Sequence, residues 1–154
     1  IRLNIEAVTR LTRLFLPAML ERNHGGILNL GSVAGFQPGP TLAVYHATKA
    51  FVVSFTKGLA FELRKSGVTV TALCPGPVKT EFEHVAGLEG GNMFDKGASA
   101  LQTAKSGYNG MMKGKVIQIS DPALAFMIRF LLPFIPRTWL SAVVEKMQTV
   151  PKKS

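Results

Sequence analysis

The chain reads as an α/β domain built on a parallel sheet, and three observations carry that reading. Apolar residues recur at helical spacing over about 4–22 and 42–65, and two short runs at 27–30 and 68–73 have the apolar or β-branched make-up of strands. Each run ends in a loop rich in Gly and Pro, Gly31 to Pro40 and Pro75-Gly76-Pro77. Helix, strand, helix, strand in that order calls for parallel strands joined by crossover helices, with ligands beyond the carboxyl ends of the strands.

The first helix carries Ala7, Leu11, Phe15, Ala18 and Met19 as its expected packing stripe, with Arg10, Arg13 and Glu21 off it. Pro17 lacks the N–H that would bond Arg13, so a bend or local break is expected there. His24-Gly25-Gly26 ends the helix, and Ile27 to Leu30 follows as a short strand of the buried, parallel type. The second helix aligns Val52, Phe55, Leu59 and Leu63 and stops at Ser66-Gly67. Beyond Pro77, a helix is expected over 98–112, a third strand over 115–119, and terminal helices over 122–132 and 138–147. Residues 81–97, rich in glycine and holding Asn92, read as a mobile excursion.

Composition narrows the function classes. With 154 residues, 47% hydrophobic and 18% charged, the chain suits one domain with its own core. The net charge of +9 raises nucleic acid as a partner, but the basic residues are scattered mostly singly and without aromatic interleaving, which argues against it. One cysteine, Cys74, in an apolar run supports neither a disulfide framework nor a cysteine-based metal site. A buried, inert thiol in a reducing, cytoplasmic setting is the expectation, with no metal site. The most apolar stretch, Ala123 to Ile135, is interrupted by Arg129 and Pro133 and falls short of the roughly 20 residues of a spanning helix. No leader pattern opens the chain, and a beginning at Ile1 reads as a cut.

The chemistry-bearing residues cluster in the first half. Tyr45 and Lys49 stand four apart on the second helix, so their side chains share a face. An ammonium beside a phenol favours the phenolate, pulling a pKa of about 10 toward neutrality, as a general acid/base for hydroxyl-to-carbonyl chemistry needs. Ser32 ends a Gly-Ser turn at the mouth of a strand, placed so that it and Tyr45 can converge on one oxygen. Taken singly, Ser32 would be a turn or cap residue and Asn4 an N-cap.

Four ordered motifs carry a resemblance. After Asn4 come Gly-Ile-Leu-Asn-Leu-Gly-Ser-Val-Ala-Gly (26–35), Tyr45-His-Ala-Thr-Lys49-Ala-Phe, Glu62-Leu63, and Pro75-Gly76-Pro77-Val78-Lys79-Thr80. With this spacing the chain resembles the short-chain dehydrogenase/reductase superfamily, closely over about 4–82 and loosely beyond. The resemblance implies a three-layer, doubly wound, Rossmann-like parallel sheet, represented here by its second half. It implies a single domain over 1–154, with a catalytic segment at 1–82 and the substrate loop and C-terminal helices at 83–154. It implies that Tyr45 exchanges the proton with the substrate oxygen, that Lys49 lowers its pKa and bonds the nicotinamide ribose, and that Ser32 orients the substrate oxygen. Asn4 would hold a water in the proton relay. Pro75, Gly76, Val78 and Thr80 would receive the nicotinamide carboxamide of NADP or NAD.

The family's glycine-rich phosphate turn is not among these residues: no strand is followed by G-x-x-x-G-x-G, and Gly87 to Gly91 neither follows a strand nor opens a helix. The expected activity is carbonyl/alcohol interconversion on an apolar substrate covered by Phe82, Val85, Leu88, Met93, Phe94, Met111 and Met112. The resemblance also implies a homodimer or homotetramer assembled through the helices at 4–22 and 42–65. Two further readings stay open: a catalytically silent assembly module, and a peripheral membrane protein resting on Phe126, Ile128, Phe130, Leu131, Leu132, Phe134 and Ile135 with Arg129, Arg137 and Lys152/Lys153 nearby.

Overall fold

A computed structural model describes residues 1–85 and 97–148. Wide π-type turns over Arg2–Ala7 lead into α1 (Val8–Glu21), followed by β1 (Gly25–Leu30), a tight turn at Val33–Phe36, α2 (Ala43–Glu62) and β2 (Val68–Leu73). Two short strands, β3 (Val78–Lys79) and β4 (Ala98–Ser99), flank α3 (Phe82–Val85); then come α4 (Ala100–Met112), β5 (Ile117–Gln118), α5 (Pro122–Phe126) and α6 (Arg137–Gln148).

The main sheet is parallel in the order β1-β2-β5, with Asn29 opposite Ala72 and Ala72 opposite Ile117. Alternation then sorts the side chains onto two faces. On one, Val53 of α2 packs with Ala72 and Cys74, while Ile117 leans on the same cluster and Asn29 donates to Thr56 of α2 at 3.0 Å. On the other, α4 lies so close that a Cβ on Gly107 would sit 2.6 Å from Leu73 Cδ2, and Met111 packs over Gly26. The result is three layers, helix, sheet and helix.

Both crossovers step the same way across the sheet, yet α2 and α4 cover opposite faces. They therefore have opposite hands, and one departs from the right-handed rule. The consequence is positional: the chain leaving β1 turns to one face and the chain leaving β2 to the other, which opens a crevice between their carboxyl ends.

Several sequence expectations change. β1 pairs only with β2 and has no second neighbour among the described residues, so Leu30 is 60% exposed instead of buried. In α1 the inward residue is Thr12, while Leu11 and Phe15 of the expected stripe are 54% and 56% exposed; the packed face is rotated by about one residue from the apolar one. The helix runs through Pro17 without a break. The helix expected over 122–132 stops as regular α at Phe126 and passes through wide turns at Met127–Leu131 and a tight one at Leu132–Phe134, where Pro133 offers no N–H. Phe126, Phe130 and Phe134 are exposed. The excursion at 81–97 lies outside the described residues from 86 to 96.

Cys74 is fully buried, and that burial pushes its thiol up to about 11. A folded-state value above the ordinary 9.0 means that the native chain holds the proton longer than the unfolded one. The stability this contributes is complete below pH 9 and is lost as pH rises toward 11. Iodoacetamide at pH 8 is expected to leave Cys74 unmodified in the native chain and to label it fully in denaturant, scored by mass; native labelling at the denatured rate would contradict the burial.

Candidate active site

The crevice between the ends of β1 and β2 is where the sequence-selected residues meet. Val33 N–H donates to the Pro75 carbonyl at 3.0 Å, tying together the two loops that leave these strands. Ser32, extended at φ −170°, starts the tight turn, and its Oγ accepts from Ala34 N–H at 3.1 Å. It is thus the cap residue that its type suggests, but a hydroxyl with one proton and two lone pairs keeps capacity for a second partner. That capacity faces Tyr45, whose phenol lies within reach of the Ser32 side chain.

Helix α2 is held against this loop by close backbone approach. A Cβ on Gly35 would stand 2.7 Å from the Lys49 carbonyl oxygen, so any larger residue must push the loop away from the helix. Lys49 is buried, and its Nζ donates to the Leu30 carbonyl at 2.8 Å, at the carboxyl end of β1. Its ammonium lies 5.9 Å from the centre of the Tyr45 ring. Phe82 also meets that ring, with centroids 5.3 Å apart and the planes tilted by 38°.

Electrostatics here differ from the sequence expectation. Burial raises the Tyr45 phenol above its ordinary value, with the Ser32 side chain pulling the other way, and the Lys49 ammonium does not bring it toward neutrality. Lys49 is itself lowered by burial. The physical reason is that desolvation penalises both charged forms while the ammonium is engaged by the Leu30 carbonyl. At neutral pH the phenol keeps its proton.

Asn4 reaches the site indirectly. Its Nδ2 donates to Thr48 Oγ1 at 3.1 Å, and that hydroxyl donates to the Tyr45 carbonyl at 2.8 Å. Thr48 was not singled out from the sequence, although a threonine bonding back three residues within a helix is a recognisable local signal. Gly76 packs beneath α5: a Cβ there would meet Leu124 Cδ1 at 2.5 Å. Val78 enters β3, opposite Ala98, and Thr80 Oγ1 accepts from Phe82 N–H at 3.3 Å, which links this turn to the ring beside Tyr45. Of the expected apolar cover, Phe82 is at the site, Val85 and Met112 are exposed, and Met111 packs on the sheet at Gly26, the opposite end of β1. Leu88, Met93 and Phe94 lie outside the described residues.

The family profile described as short chain dehydrogenase matches residues 1–89, more than half of the chain and the whole of this crevice. The chain belongs to the short-chain dehydrogenase family. Among curated relatives of this family, a very-long-chain 3-oxoacyl-CoA reductase of Anas platyrhynchos is 44% identical over 86 residues, 56% of this chain and 28% of that protein. An uncharacterized oxidoreductase of Staphylococcus epidermidis is 39% identical over 107 residues, 66% of this chain and 46% of that protein. The chain therefore spans less than half the length of these two relatives. A short-chain dehydrogenase from Sphingobium yanoikuyae, solved in complex with NADPH, superposes with a TM-score of 0.74 at 29% identity, covering 99% of this chain and 58% of that one. The three-layer sheet is thus the short-chain dehydrogenase fold.

Proposed function

We propose that these residues form the catalytic half of an NAD(P)(H)-dependent oxidoreductase that interconverts a ketone and a secondary alcohol. The observation that carries the reading is the convergence of Ser32, Tyr45 and Lys49 at the crevice. In the reducing direction, Tyr45 Oη gives its proton to the substrate oxygen while Ser32 donates a hydrogen bond to the same oxygen; the raised phenol keeps that proton available at neutral pH. Lys49 uses one N–H on Leu30 and retains two for the ribose hydroxyls, so the donor set fits the nicotinamide end of the cofactor. When bound, the nicotinamide supplies the hydride to the carbonyl carbon. The turn at Pro75, Gly76, Val78 and Thr80 closes that end of the pocket, and Asn4 positions Tyr45 through Thr48. Residues 1–82 form the catalytic segment of one domain, and the substrate loop and C-terminal helices follow over 83–154.

NADPH bound by the Sphingobium relative supports a nicotinamide cofactor. Phe82 against Tyr45 supports an apolar substrate, as does the acyl chemistry named for the Anas relative. In a complete enzyme carrying these residues, acyl, aromatic or steroid-like ketones are expected to be reduced faster than polar, phosphorylated ones. A substrate panel with the reverse ranking would overturn the apolar reading. The exposed Leu11, Leu14 and Phe15 on α1 favour assembly through this helix with a second copy, as a homodimer or homotetramer.

A further inference from the structure

The catalytic reading leaves unused the C-terminal stretch Pro122–Gln148. Within it Phe126, Phe130, Phe134, Trp139, Val143 and Met147 are exposed; Phe134 is 85% and Trp139 74% accessible. Phe126 and Phe130 meet with centroids 5.1 Å apart and planes tilted by 41°, so these two rings form one aromatic pair. On α6, Trp139, Val143 and Met147 repeat every fourth residue and form a stripe, while Leu140 and Val144 take the packed side. The charges of the stretch are Arg129, Arg137 and Lys146 against Glu145 alone.

Large aromatic and aliphatic side chains exposed beside long cationic ones suit the boundary between acyl chains and headgroups. There rings enter the apolar layer, while Arg and Lys stems reach back to phosphate. Among the described residues no helix is long and apolar enough to cross a membrane, so the fit is to a surface and not to a span. A protein partner would need complementary acidic groups around an apolar centre; an anionic bilayer supplies both over any area, and the basic excess of the whole chain, +9, adds long-range attraction. We infer that Phe126 to Met147 is a docking surface for an anionic lipid bilayer. The inference is independent of the catalytic reading.

Trp139 is the only tryptophan of the chain and lies within the surface, so its emission reports the event directly. Vesicles rich in phosphatidylserine are expected to shift Trp139 emission to the blue, and bromine on the acyl chains to quench it. Pure phosphatidylcholine vesicles should act weakly, and added salt should reverse most of the effect. Arg129→Glu with Arg137→Glu should abolish the preference for anionic vesicles. Phe130→Ser with Phe134→Ser should weaken partitioning about tenfold or more. Both pairs lie at exposed positions, and far-UV circular dichroism checks that each variant stays folded. Four results would each overturn the inference: an unmoved emission, equal response to neutral and anionic vesicles, full binding by either folded double variant, or a blue shift that grows with protein concentration without lipid. The last would assign the surface to a second copy of the chain.

Discussion

Replacing Tyr45 by Phe in a complete enzyme carrying these residues is expected to lower kcat at least about 100-fold while leaving cofactor affinity nearly unchanged. The substitution removes one oxygen and little volume, so the ring contact with Phe82 at 5.3 Å and the backbone bond from Thr48 persist. What disappears is the proton that the raised phenol holds ready. Lys49→Ala should behave differently. It deletes the bond to the Leu30 carbonyl and the donors left for the ribose, so both kcat and cofactor affinity should fall. Single-turnover rates and nucleotide titrations on the two variants separate the roles. A Tyr45→Phe enzyme keeping more than about a hundredth of the wild-type kcat would remove Tyr45 from the chemistry.

The second large effect concerns these 154 residues by themselves. Dinucleotide phosphates in this fold are bound by backbone N–H groups of a glycine-rich turn and the helix it opens. The described crevice supplies only the groups for the nicotinamide end, centred on Lys49. The isolated chain is therefore expected to show no measurable oxidation of NADPH or NADH, and to self-associate through the open side of β1. Intact mass with activity on one sample decides it: a species of 16.6 kDa that oxidises either nucleotide robustly would refute the expectation.

The parts of this structure legible in the sequence are those governed by local chemistry. The run Val68 to Leu73 is β-branched or apolar throughout and sits in the middle of the sheet, so its strand came out with the expected bounds. The spacing of Tyr45 and Lys49 fixed their common helix face before any tertiary contact was known. What escaped is set by neighbours. The face of α1 that packs inward is chosen by the elements around it, so Thr12 is buried while Leu11 stays out. Burial likewise decides the direction of the Tyr45 titration, which the local Tyr-Lys spacing predicted with the wrong sign. Thr48 reaches the site through its contact with Asn4, which no single motif encodes, whereas Phe82 lies where the sequence placed it.

Among the described residues β1 pairs on one side only, and this has a further meaning. In a parallel ladder successive amides of a strand point alternately to its two neighbours. Those directed at β2 are locked, and β1 is additionally pinned from above by Asn29 to Thr56 and from its end by Lys49 to Leu30. The alternate amides face the open side. Hydrogen–deuterium exchange along Gly25–Leu30 should therefore be uneven from residue to residue, and the fast positions slow only when another strand docks there. The strand is a built-in gauge of whether a second strand has docked beside it.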